Sequence, residues 1–101
     1  MFVAIYHFTV KKGEEHSFKE SWKKLTELIL EYENSLGSRL HKSGERNYIA
    51  YAQWHSREQW ENAGGNLPES ANEYRSMMKK CCQKIKTIHE LEVMVDLLIK
   101  P

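Results

Sequence analysis

Residues 2–10, FVAIYHFTV, are almost all aliphatic, aromatic or β-branched and stop at Lys11-Lys12-Gly13, which predicts a strand closed by a glycine turn. From Glu14 to Tyr32 the apolar residues Phe18, Trp22, Leu25, Ile29 and Tyr32 recur at steps of four and three, one stripe of a helix whose other faces carry Lys19, Glu20, Lys23, Lys24 and Glu27. Asn34, Ser35 and Gly37 break that helix. Leu36 to Lys42 reads as a second strand, turned through Ser43-Gly44-Glu45-Arg46-Asn47 into a third at Tyr48 to Trp54. Ser56 can cap a short helix with Gln59 completing a capping box and Trp60 on its inner side. Gly64-Gly65-Asn66 ends it, and Pro68 suits the first turn of another helix reaching about Lys84, with Ala71, Tyr74 or Arg75, Met78 and Cys81 or Cys82 spaced for burial. Thr87 to Ile99 is the expected last strand.

The order β, α, β, β, short helix, α, β predicts a ferredoxin-like βαββαβ domain, α+β in class. Its four-stranded antiparallel sheet has strand order 4-1-3-2 and both main helices on one face. Such a sheet normally leaves its other face polar, yet here Val3 and Ile5 are as apolar as Phe2, Ala4, Tyr6 and Phe8, and Ile49 and Tyr51 oppose Tyr48 and Trp54. An apolar patch of this size calls for a covering sheet, and a two-fold homodimer is the expected partner.

Composition narrows the function without naming it. The 101 residues suit one domain, 1–101, and a formal charge of +1 gives no field to gather a polyanion, so nucleic acid is not an expected partner. The one basic run, Met78 to Lys86, is expected on a helix as a solvated face. Met1 to Val10 has neither the basic start nor the small-residue cleavage site of a signal peptide, and no apolar stretch approaches the length of a membrane span. Cys81 and Cys82, adjacent in a helical segment, are expected to be reduced thiols packed in a cytoplasmic protein.

Three stretches carry a family resemblance: Val10-Lys11-Lys12-Gly13-Glu14, the strand from Gly37 to Leu40, and above all Tyr51-Ala52-Gln53-Trp54-His55-Ser56-Arg57-Glu58. Together they resemble the antibiotic biosynthesis monooxygenase domain, over roughly Phe2 to Leu97, with Trp54, Ser56 and Glu58 the most specific part. The resemblance implies a dimeric α+β barrel with a cavity between sheet and helices in each subunit. It also implies relatives that oxidise polycyclic or quinol molecules without metal or flavin, others that degrade haem, and others with no known activity. Many members carry a His nine residues after the tryptophan, or a Trp in the haem branch, where this chain has Ala63; Glu69 to Lys84 also lacks the haem branch's axial His.

The five histidines, His7, His16, His41, His55 and His89, form no metal motif, and no metal or tightly bound cofactor is expected. In the order 4-1-3-2, His7 near the end of the first strand and His89 near the start of the last become candidate cross-strand neighbours and, if both face the helices, a candidate catalytic base. The alternative is that each imidazole simply bonds an acceptor at the end of the sheet. Trp60 and Tyr74 are candidate pocket walls, and Tyr51, Trp54, Trp22 and Tyr6 could add flat surfaces or serve as core. Asn62, Asn72 and Arg75 would orient a ligand oxygen if they faced inward. Glu90 and Glu92 share a strand face and could pair with cations of a partner chain. The expected activity is oxidation of a small aromatic or quinol-type molecule. The alternatives are a dimeric binding or accessory domain without catalysis and, third, a haem-binding protein.

Overall fold

The computed structural model describes residues 1–99. β1 (Phe2–Val10) is followed by α1 (Glu15–Tyr32), the hairpin of β2 (Gly37–Gly44) and β3 (Asn47–Trp54), the short α2 (Arg57–Glu61), α3 (Ala71–Cys81) and β4 (Cys82–Glu92). The strands form one sheet in the order β2-β3-β1-β4, antiparallel throughout, as the sequence predicts. Helices α1 and α3 pack on each other over one face.

The boundaries of the last helix and the last strand differ from expectation. A turn of short-range bonds, Ala71 N to Pro68 O and Asn72 N to Glu69 O, both 3.0 Å, precedes α3, so the helix proper begins at Ala71. It ends at Cys81, and the chain enters β4 at the next residue, not at Thr87. β1 explains the switch: its nine residues have unpaired backbone groups along one edge, and pairing from Val10 with Cys82 to Phe2 with Glu92 satisfies them. That pairing outweighs the helix propensity of Lys84 and Lys86, and β-branched Ile85, Thr87 and Ile88 favour it. The basic run is thus split, with Lys79 and Lys80 on the helix and Lys84 and Lys86 on the strand. Residues 93–99 continue without strand pairing, tied at Val93 N to Met1 O, 2.9 Å.

Alternation along β1 and β3 sends Phe2, Ala4, Tyr6, Phe8 and Val10, with Tyr48, Ala50, Ala52 and Trp54, toward the helices. They form two clusters. In one, Phe18 of α1 packs on Phe8 and Tyr48 with ring centroids 5.0 and 5.2 Å apart. In the other, Phe2 meets Trp60 of α2 at 5.2 Å. Arg57 stands 4.9 Å above the Phe2 ring and pairs with Glu90 at 2.6 Å, so Glu90 finds its cation within its own chain. Tyr6 packs against both clusters, and the interval between them is where the cavity lies.

Candidate functional site

Small residues open that interval. Ala50 and Ala52 of β3 lie on the floor beneath Leu25 and Ile29 of α1, and a core position filled by alanine leaves the helix unmatched by side-chain volume. The result is an apolar cavity of about 220 Å³ with Tyr6, Phe8, Trp22 and Trp54 as its aromatic walls. Tyr6 is the sole ionisable side chain among its lining residues. Tyr6, Ile29 and Trp54 are also walls of a second pocket of about 190 Å³, completed by Glu33, Trp60, Ala63, Gly64, Leu67 and Arg75. The two pockets, an apolar and a polar lobe, share Tyr6, Ile29 and Trp54 as walls.

The polar lobe is built by hydrogen bonds from distant parts of the chain. Trp60 Nε1–H donates to the Tyr6 hydroxyl oxygen at 2.7 Å. Glu33, buried at the end of α1, accepts from the backbone N–H of Gly64, from Asn66 N at 3.3 Å and from Asn66 Nδ2 at 3.1 Å. Its carboxylate therefore holds the loop that follows α2. Gln59 secures the other side: its amide nitrogen donates to the carbonyls of Glu33 (3.3 Å) and Asn34 (2.8 Å), and its Oε1 accepts from His55 N (2.8 Å). Ser56 caps α2 as the sequence predicts, accepting from Gln59 N at 3.1 Å. Gly64 has φ +110°, a left-handed backbone conformation that favours glycine at this turn.

Burial raises the Tyr6 pKa above the ordinary phenol value, the Trp60 bond lowers it by less, and the Glu90 charge raises it further. Tyr6 therefore keeps its proton at neutral pH. Trp54 Nε1, at the base of the walls, is buried without a hydrogen-bond partner among the described residues. Burial likewise pushes the Cys82 thiol up to about 11, aided by neighbouring Cys81, whose own thiol is raised first by desolvation and then by Glu14. Neither thiol is activated as a nucleophile at neutral pH.

Of the sequence candidates, Trp60 and Arg75 reach the polar lobe, and Tyr6, Trp22 and Trp54 line the cavity. Tyr74 is half-buried on α3 without lining either lobe; Asn72 is exposed, and Asn62 is exposed as the C-cap of α2. Tyr51 stands on the outer sheet face, beside Leu98. His7 lies between inward Tyr6 and Phe8 and so points to the outer face, where its Nε2 is 3.0 Å from Asn47 Oδ1. The register pairs it with Lys86, while exposed His89 pairs with Ile5, so the two imidazoles are not direct cross-strand neighbours and neither lines the cavity. A bulge between Ile5 and Tyr6 shifts the last strand against the first. Glu33, Ile29 and Leu67 were absent from the sequence candidates; the loop Gly64-Gly65-Asn66, whose amides need acceptors once the turn is covered, was the available signal for Glu33. Among the described residues no three His, Cys, Asp or Glu side chains gather as a metal site.

The family model described as antibiotic biosynthesis monooxygenase matches residues 1–76. Solved structures share the fold at low identity. SnoaB, a cofactor-independent oxygenase from Streptomyces nogalater, superposes with a TM-score of 0.75 at 11% identity over 95% of each chain. A candidate antibiotic biosynthesis monooxygenase from Nitrosomonas europaea gives 0.76 at 13%, over 94% of this chain and 100% of that one. Another from Bordetella bronchiseptica gives 0.72 at 17%, over 93% and 97%. No curated protein matches the sequence significantly.

Proposed function

The chain belongs to the antibiotic biosynthesis monooxygenase family, and from that premise we propose that it oxidises a small aromatic quinol-type molecule, held between sheet and helices, with dioxygen and no tightly bound cofactor. The observation that carries this is the two-lobed cavity: apolar walls to take a flat ring, and a polar end with Arg75, a fixed tyrosine hydroxyl and an immobilised loop. The cofactor-independent oxygenase from Streptomyces nogalater has the same fold and lends the chemistry its precedent.

The reaction closes without an added reductant. An ionised quinol passes one electron to dioxygen, and the resulting pair combines at a ring carbon to give a C–O bond. The peroxide anion takes up a proton to replace the one lost when the quinol ionised, and the hydroperoxide then loses water as its O–O bond and the ring C–H bond break, leaving a carbonyl. Substrate, not protein, supplies every electron. The protein's part is to exclude bulk water, hold the ring, and favour the anion through Arg75.

One observation favours a second reading, a binding domain without catalysis: among the described residues no histidine or carboxylate lines the apolar lobe where a ring would sit. Binding itself separates both readings from an inert core. Isothermal titration of 1,4-dihydroxynaphthalene under anaerobic conditions should show saturable binding that Ala52→Leu, filling the floor, weakens at least about tenfold. Equal binding by both proteins would place the ligand elsewhere.

Members of the family are typically dimeric, and for this chain the outer sheet face is the proposed contact. Ile5, Ile49 and Tyr51 are left half-covered there, and the segment after β4 carries exposed Met94, Val95, Leu97, Leu98 and Ile99. A second copy would bury both. Among the described residues no helix is long and apolar enough to cross a membrane.

A further inference from the structure

We propose that Tyr6 sets ligand orientation and class: its hydroxyl donates a hydrogen bond to a carbonyl or phenolate oxygen of a one- or two-ring ligand seated in the apolar lobe. The inference rests on the reading of the cavity as a ligand site and specifies what that site selects.

Tyr6 stands where the lobes meet, lining both. A phenol oxygen can accept a hydrogen bond from one donor and still donate its own proton elsewhere. Trp60 is that donor, at 2.7 Å, and an indole N–H has no lone pair with which to accept in return. The Tyr6 proton has no acceptor among the described residues. A half-buried hydroxyl with its oxygen engaged and its proton free, on a cavity wall, is a donor awaiting an acceptor. Because burial keeps the phenol protonated at neutral pH, the group acts as donor and not as base.

The other hydroxyls of the apolar lobe are placed differently. Ser38 Oγ donates to Tyr51 O at 3.0 Å, and Ser35 Oγ accepts from Gly37 N at 3.3 Å. Both stand at the β2 side of the cavity, with β3 between them and β1. Thr26 belongs to the helix roof. A ligand oxygen directed at Tyr6 is therefore directed at the end that holds Trp60 and Arg75. Size sets the second limit: about 220 Å³ falls below the roughly 300–1,000 Å³ of pockets that take drug-sized molecules, which suits one or two fused rings.

The test uses two probes of one skeleton, 1-tetralone and tetralin, the ketone and its hydrocarbon counterpart, titrated calorimetrically into the wild-type protein and into Tyr6→Phe. The wild type should prefer the ketone, and Tyr6→Phe should lose about tenfold in ketone affinity while holding tetralin within about twofold. Retained tetralin binding shows that the variant's cavity is intact. In the infrared, the bound ketone's carbonyl stretch should fall to lower frequency in the wild type and return toward its apolar-solvent value in Tyr6→Phe. Unchanged ketone affinity and an unshifted carbonyl band in the variant would overturn the role of Tyr6 alone. Failure of the wild type to bind either probe would overturn the cavity reading and this inference with it. Anthrone, with three rings, should bind at least about tenfold more weakly than tetralone; tighter binding would overturn the size limit.

Discussion

Changing Glu33 to alanine removes the acceptor that joins the end of α1 to the loop after α2. Three bonds are lost together, from Gly64 N, Asn66 N and Asn66 Nδ2, all to one buried carboxylate. Hydrogen bonds to a charged group contribute about 1.5–3 kcal/mol each, but the losses do not add. Asn66 is exposed and its donors can turn to water, whereas Gly64 is partly covered and keeps an unpaired amide. Removal of the carboxylate also ends the cost of having buried it. A net loss of about 2–3 kcal/mol follows, and for a domain of about 100 residues each kcal/mol lowers the melting temperature by about 4–8 °C, so the midpoint should fall by roughly 10–20 °C. Glu33→Gln retains one acceptor oxygen and should lose about half as much. The assay is thermal unfolding at one fixed protein concentration, because an associating chain melts at a concentration-dependent temperature. Amide exchange at Gly64 and Asn66 should quicken in parallel. A Glu33→Ala midpoint within about 3 °C of wild type, less than 1 kcal/mol on the same scale, or unchanged exchange at Gly64, would refute the assignment of the loop's order to this carboxylate.

Other consequences are open to direct measurement. The Cys82 thiol is pushed up to about 11 from 9.0, so its neutral form stabilises the fold below pH 9 and that contribution fades as pH rises toward 11; the decline in melting temperature over that window should be shallower in Cys82→Ala. An equal slope in both proteins would contradict it. Ile49→Asp, placed on the outer face, should yield monomers in sedimentation while leaving the far-ultraviolet circular dichroism unchanged, whereas wild type should sediment as a dimer at micromolar concentration. Monomeric wild type would remove the face-to-face assembly. Trp60→Phe keeps the packing on Phe2 but removes the N–H that holds Tyr6, so tetralone affinity should fall less than in Tyr6→Phe, by about threefold; an effect larger than that of Tyr6→Phe would assign the ligand contact to Trp60 itself.

Periodicity made most of the fold legible. The nine-residue strand, the stripe from Phe18 to Ile29 and the hairpin at Ser43 to Asn47 follow from patterns that alternative structures would leave half-exposed. The start of β4 was hidden because Lys84-Ile85-Lys86-Thr87-Ile88 mixes good helix formers with β-branched residues, and the decision lies with the unpaired edge of β1, outside that window. Strand parity did contain the answer for His7, since a helix-facing Tyr6 and Phe8 send the residue between them outward. His89 was harder, because the bulge beside Tyr6 changes which residues meet. The cavity left a faint trace in Ala50 and Ala52, small residues between large ones. Glu33 and Gln59 left less, since both read as polar residues at helix ends until the fold brings α1 and the loop after α2 together.

The proposed oxidation of a small quinol in the sheet-to-helix cavity can be followed as oxygen uptake with 1,4-dihydroxynaphthalene under isotopically labelled dioxygen, for wild type and Ala52→Leu side by side. Wild type should show saturable uptake above the spontaneous rate, with one labelled oxygen atom in a 2-hydroxy-1,4-naphthoquinone product and the other in water, and Ala52→Leu, its cavity filled, only the spontaneous rate. Uptake no faster than the protein-free control, or equally fast in Ala52→Leu, would contradict it.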